Sequence, residues 1–336
     1  MFGGDLMKTW LCGKHAGRCL VALTACGLIA CSEDRGQDGI DGRVAHLLST
    51  MSIEQKVAQM IQGEIAHVTP DDMKRFGLGS VLNGGGSFPD KNKYASLQDW
   101  VELADSYYLA SIDTSEGNAG IPTIWGTDAV HGHNNVIGAT IFPHNIALGA
   151  VGDAELAAAI AGATAKEVSA TGIDWIFAPT VAVALDPRWG RTYESYGSEP
   201  ALPGDFAGGI VEAMQEVGVV ATAKHFIGDG GTFRGIDQGD TRLDKDSLLS
   251  IHGQGYYSAI EAGVKTVMAS FNSWNGDKIH GNHELLTDVL REEEAEARGE
   301  PYQLAAEKRM VIPVGKPGTV SITPADVIHS FVIASA

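Results

Sequence analysis

Five short β-prone segments, at residues 79–86, 123–128, 175–179, 219–225 and 266–271, recur along this chain with helix-length stretches between them. That alternation restricts the fold more than any other feature. Strands separated by helices cannot pair through tight hairpins, so they lie parallel and each is joined to the next by a crossover. Residues 96–111, 153–171, 203–216 and 245–262 are long enough to be those crossover helices. Upstream, residues 44–61 carry two helical patterns, with Ser52 as an N-cap, Gln55 completing a capping box, and Ile53, Val57 and Met60 on one face. No internal repeat is present, and the expected body is parallel α/β.

The fourth segment ends in the most polar word of the chain. Residues 219–223 read as a buried strand; Lys224 and His225 follow, and then the turn Gly228-Asp229-Gly230-Gly231. In α/β barrels the turns after the strands hold the binding groups, and small residues there let a ligand approach the backbone. A lone histidine in this place could equally be a satisfied core residue.

Composition narrows the function. The 42 acidic residues outnumber the 24 basic ones, for a net charge of −18, and no basic cluster interrupts them. Nucleic acid and anionic membrane surfaces are poor electrostatic partners for such a chain. Cys12, Cys19, Cys26 and Cys31 all lie in the first tenth, so the body holds no disulfide and no thiolate metal ligand. Lys8, Lys14 and Arg18 precede an apolar run at residues 19–30, which is too short for a membrane span and has the pattern of an export signal. The word Leu28-Ile29-Ala30-Cys31 resembles a bacterial lipobox. The domain reading is therefore a leader at 1–31 with Cys31 as its lipidation site, a polar tether at 32–43, a barrel at 44–290 and a tail at 291–336. An exported periplasmic or outer-membrane lipoprotein is expected, touching membrane only through its lipid. An ordinary signal peptide with a chance cysteine is the plainer alternative.

Lys224-His225-Phe226-Ile227-Gly228-Asp229-Gly230 closely resembles the signature of family 3 glycoside hydrolases, in the β-glucosidase and exo-β-glucanase branch. The resemblance continues at the other strand ends, through residues 79–89, 126–135 and 186–196, and covers roughly residues 47–290. It implies a (β/α)8 TIM-type barrel of which about five strands are encoded, followed by a short β-rich tail. It implies no cofactor, and a partner that is a β-linked gluco-oligosaccharide or glucan. By resemblance, Asp128 accepts hydrogen bonds from hydroxyls of the terminal sugar, and Arg188, Lys224 and His225 hold the same sugar, supported by the other charges of the 186–196 loop. Met268 and Phe271 fall where the family lines its pocket. Read without the family, Asp128 is equally a helix N-cap, Arg188 a surface ion pair, and Met268 and Phe271 core packing. His131 and His133 have a His-x-His spacing, but with no third ligand nearby and no metal in the family pattern, metal is not expected. His144 carries no role.

Retaining hydrolysis needs a carboxylate nucleophile and a second carboxyl as acid and base, about 5–5.5 Å apart. In family 3 the nucleophile is the Asp of a Ser-Asp-Trp word on the sixth strand, and no such word occurs in these 336 residues. The family pattern runs through residues 274–276 and 283–290 and then stops. Residues 301–330 instead resemble part of the cupredoxin domain of cytochrome c oxidase subunit II, where His329 would match a copper ligand. That site needs two thiolates, and none follows Cys31, so copper is not expected. The tail is read as a fused, frameshifted or misassembled gene end whose β-prone residues 311–314 and 319–322 could pair on an open sheet edge. The resulting expectation is a hydrolase of terminal non-reducing β-D-glucose by family. This chain itself lacks the catalytic pair, is weakly stable through an open edge and uncovered interior, and gives no turnover. A tethered, non-catalytic sugar-binding protein and a β-N-acetylglucosaminidase of cell-wall recycling are the alternatives.

Overall fold

The computed structural model describes residues 35–297 and 332–334. The expected leader with Cys31, the tail segments 311–314 and 319–322, and His329 lie outside them. The chain divides into two units after Thr50. In the first, helix α1 (Arg35–Thr50) runs through most of the residues read as a tether, and residues 42–50 are exposed.

The second unit begins with α2 (Ile53–Gln59), β1 (Gln62–Glu64), α3 (Pro70–Phe76), β2 (Ser80–Asn83), α4 (Leu97–Ile112) and β3 (Ile124–Thr127). It continues with α5 (Asn145–Val151), α6 (Ala154–Ser169), β4 (Trp175–Ile176), α7 (Ala201–Glu216) and β5 (Thr222–Phe226). Then come β6 (Asp240–Thr241), α8 (Lys245–His252), α9 (Gln254–Glu261), β7 (Thr266–Ala269), β8 (Ser273–Trp274), β9 (Asp277–Lys278), α10 (Leu290–Ala297) and β10 (Val332–Ala334). All five expected strands are present as β2, β3, β4, β5 and β7. β1 is an additional parallel strand, too short and polar to show periodicity. The capping box of α2 forms as read: Ser52 N–H donates to Gln55 Oε1 at 2.8 Å, and Gln55 N–H to Ser52 Oγ at 3.2 Å. Its Ile53, Val57 and Met60 are nevertheless exposed, so the amphipathic face is not a core face. The single crossover expected at 245–262 is two helices, parted at Gly253.

β1, β2, β3 and β4 pair parallel in sequence order. β4 is carried on to β5 by parallel bridges Trp175–Val220 and Thr180–Lys224, and β5 pairs parallel with β7. The result is a six-strand parallel wall in the order expected of a partial barrel. The open edge of β7 is paired by β10, antiparallel, with Val332 opposite Met268. A tail segment thus covers the edge, though not one of the two singled out from propensity. The hairpin β8–β9 pairs with β6 in a small separate sheet.

The interior of the wall is filled rather than open. Trp175, Phe177 and Met268 are buried together against Leu82 and Val220. Trp175 Nε1 donates to Thr222 Oγ1 at 2.7 Å and lies 3.1 Å from Thr266 Oγ1, so the buried indole is satisfied. Outside, α6 turns Ala157, Ala161, Ala165 and Val168 inward at helical spacing. These small side chains, with Gly208 and Gly209 of α7, let the helices pack closely; Gly208 N–H even reaches Ser258 Oγ of α9 at 3.1 Å. α10 continues the π-helical turn Glu284–Val289 without a break, so the helix crosses the place where the family pattern stops.

Candidate functional site

A cavity of ≈ 310 Å³ opens at the C-terminal ends of the parallel strands, with Leu82, Phe177 and Met268 among its lining residues. The same Phe177 and Met268 belong to the interior cluster, so Met268 is core and cavity lining at once. Phe271 lines the cavity as well, its ring 4.9 Å from that of His280.

Above this apolar base stand the charged groups. Lys224, from β5, is buried, and its Nζ donates to Asp128 Oδ1 at 2.7 Å. Asp128, just beyond β3, is half exposed on the cavity side and begins no helix, so it is not an N-cap. Neighbouring strand residues normally point to opposite faces, yet Lys224 and His225 both line the cavity. The register shift between Lys224 and Phe226 in the β5–β7 pairing permits this.

Arg188 does not line the cavity. Its side chain is 69% exposed and its guanidinium bonds Asp186 two residues away, the surface ion pair that its sequence position also allowed. Arg191 lines the cavity instead. Its Nε and Nη2 donate to the two oxygens of Glu194 at 2.6 and 2.8 Å, a bidentate pair, and Nη2 lies 3.1 Å from His225 Nε2. Burial opposes ionisation of Glu194, but the Arg191 guanidinium, with Lys224 and His225 nearby, holds its carboxyl below the usual range. Burial also works against the charge of Arg191, and Glu194 overcomes it and raises the guanidinium further. The spacing of Arg191 and Glu194, three apart in one turn, was the signal available in the sequence.

This loop is held from behind by α5. Asn145 Nδ2 donates to the Glu194 carbonyl at 2.7 Å, and a Cβ on Gly149 would sit 1.7 Å from the Tyr196 carbonyl oxygen, so the close approach requires glycine. Opposite, Trp189 Nε1 donates to Asp237 Oδ1 at 3.0 Å, and Gly235, at φ +65°, leaves no room for a side chain against the Trp189 backbone.

One flank of the cavity is aromatic. The His131 and His144 rings lie 4.1 Å apart, and His144 meets Tyr193 edge-on at 4.7 Å. Burial, and then His144, hold His131 below the ordinary histidine range. His133 faces away: it is fully buried, with Nε2 3.1 Å from Thr171 Oγ1, so His131 and His133 do not converge on a common point. Among the described residues no cluster of three metal-ligating side chains occurs.

Residues 52–295 match the glycosyl hydrolase family 3 N terminal domain. The lysosomal beta glucosidase of Dictyostelium discoideum is 30% identical over 279 residues, covering 75% of this chain and 34% of that protein. The exo-1,3/1,4-beta-glucanase structure from a Pseudoalteromonas species superposes with a TM-score of 0.74 at 53% identity, covering 76% of this chain and 33% of that one. The beta-glucosidase of Listeria innocua in complex with glucose gives a TM-score of 0.64 at 27% identity, over 75% of this chain and 36% of that one, and a mutant of the same enzyme is known in complex with laminaribiose. The chain thus spans about a third of the length of the relatives it matches. The six sequential parallel strands, the Lys224-His225 strand end and the family match together place this chain in glycosyl hydrolase family 3, as its N-terminal barrel domain.

Proposed function

We propose that this domain binds the non-reducing terminal glucose of a β-linked gluco-oligosaccharide or glucan, and that the full-length protein removes it by a retaining mechanism. The observation that carries this reading is the convergence of Asp128, Lys224 and Arg191 on one cavity over Phe177 and Met268. A carboxylate beside two cationic donors suits vicinal hydroxyls, and an apolar base suits a sugar face. Listeria innocua beta-glucosidase, of the same family, is known bound to glucose and to laminaribiose, which supports a β-glucoside ligand here.

Each carboxylate lining the cavity is already held by a donor. Asp128 takes Lys224, Glu194 takes Arg191, Asp229 takes His225 and the Gly230 N–H, and Asp237 takes Trp189. These bonds suit binding and support, and the 336 residues contain no Ser-Asp-Trp word to supply the family's nucleophile. The expected result is that the 336-residue chain binds glucose and laminaribiose in calorimetry and releases no nitrophenol from an aryl β-glucoside. Turnover by this chain would refute the assignment of the nucleophile to residues beyond it; absence of sugar binding would refute the site. An N-acetylglucosaminidase reading needs a catalytic histidine in the turn after β5, and Asp229 stands there, committed to His225.

The finer reading of the N-terminus is export as a lipoprotein modified at Cys31, supported by the lipobox-like word and by the periplasmic beta-glucosidase of Salmonella typhimurium, a 27% identical relative. Labelled palmitate should enter the wild-type chain and not Cys31→Ser; equal labelling of both would exclude that site.

A further inference from the structure

The hydrogen bonds around His225 fix more than its position. A guanidinium has donors and no acceptor. Arg191 Nη2 lies 3.1 Å from His225 Nε2, so Nε2 must offer a lone pair and the ring proton must sit on Nδ1. Nδ1 faces Asp229 Oδ2 at 2.8 Å, and the other Asp229 oxygen accepts the Gly230 N–H at 3.1 Å. The result is a continuous chain, Asp229 to His225 to Arg191 to Glu194, in which Asp229, His225 and Glu194 keep only about a tenth of their side-chain surface. Arg191 Nη1 has no hydrogen-bond partner among the described residues, while the side chain lines the cavity.

We propose that Asp229 is a positioning residue that holds His225 as the neutral Nδ1–H tautomer, and that the bare Nε2 of that tautomer sets Arg191 with Nη1 presented to the sugar. This rests on the sugar-binding reading above and adds to it a residue that does not itself line up as a hydroxyl partner. It also revises the role of His225, whose Nε2 accepts rather than donates. Asparagine cannot replace Asp229, because one of its two ends is a donor: either the Gly230 N–H or the His225 Nδ1–H loses its acceptor. Protonating His225 would place an N–H against the Arg191 N–H, so Arg191 is displaced in acid. The charged groups facing His225 are Asp229, which favours its protonation, Arg191 and Lys224, which oppose it, and Glu194 across Arg191. Burial is the larger influence and keeps the ring neutral to below the ordinary histidine range.

The test uses the full chain labelled with 15N-histidine, with the His225 signals identified by their absence in His225→Gln. At neutral pH the wild type should show a protonated Nδ1 and a bare Nε2; an Nε2–H tautomer or a charged ring overturns the proposal without any variant being needed. Glucose affinity in the wild type should fall as the ring protonates. Asp229→Asn should weaken binding about tenfold at neutral pH. It should also move the acid limb to lower pH, since the removed carboxylate favoured the proton. A uniform loss of affinity with limb and tautomer unmoved shows a merely structural Asp229 and overturns the proposal. A wild type that binds no glucose refutes the functional reading, while the spectrum alone still decides the tautomer.

Discussion

Asp128→Ala is expected to destabilise the domain more than Lys224→Met does, although both break the same ion pair. The reason is the unequal exposure of the partners: the Lys224 side chain is 3% exposed and that of Asp128 is 51%. Removing Asp128 leaves a buried ammonium without its hydrogen-bonded carboxylate, at a cost of roughly 2–4 kcal/mol, below the full range for a buried pair because Asp128 is half in water and Glu194 still faces the ammonium. Removing the ammonium leaves a carboxylate that rehydrates, and methionine refills the volume, for roughly 1 kcal/mol. Both variants should lose sugar affinity by about a hundredfold, since each deletes a charged partner of the ligand. Urea unfolding separates the two effects. Equal stability losses would mean that Lys224 finds another partner, and an unchanged affinity would remove the pair from the binding site.

Stability should also fall as the pH drops from about 6.5 to about 4, through the buried histidines. His133 and His252 are fully buried, and desolvation lowers both to about 4 from 6.5. The sign follows from which state takes the proton. Above 6.5 both states carry neutral rings; between 6.5 and 4 the unfolded chain protonates first, so unfolding is favoured, and the loss levels off below the folded-state value. Each ring contributes roughly 3 kcal/mol at full effect. Asp113 and Asp186, held at about 2 by their hydrogen-bond partners, add their loss mainly as the pH falls through the ordinary carboxylate value of 3.8, at the lower end of the histidine window. Among the described residues neither nitrogen of His252 has a hydrogen-bond partner, and a Cβ on Gly231 would lie 2.4 Å from its Nε2, so the ring is tightly packed. His252→Leu should therefore shrink the acid loss by the share of one ring, roughly 3 kcal/mol, while His131, His133 and His225 supply the rest. A wild-type stability curve that is flat between 6.5 and 4 would contradict the burial of both rings.

The parallel α/β body, four of its crossover regions, the α2 capping box and the strand end that carries Lys224 and His225 were all legible in the amino-acid order. These are local signals: apolar runs, helix-length spacers, a Ser-x-x-Gln cap and a glycine turn are each decided by neighbours in the chain. Asp128 was legible too, as a carboxylate at a strand end. Which arginine of the 188–191 turn enters the cavity was not, because both are flanked by a carboxylate at short spacing, and the choice depends on α5 pressing the loop through Asn145 and Gly149. The missing strand β1 and the covering strand β10 belong with it: three residues have no periodicity to read, and only pairing with β2 and β7 makes them strands. The outward apolar face of α2 shows the same limit, since a helical moment states that a helix has two faces and not which of them meets a core. Tertiary packing alone joined Asp229, His225, Arg191 and Glu194, residues up to 38 positions apart, because hydrogen-bond complementarity in a buried space is a property of the assembled loops.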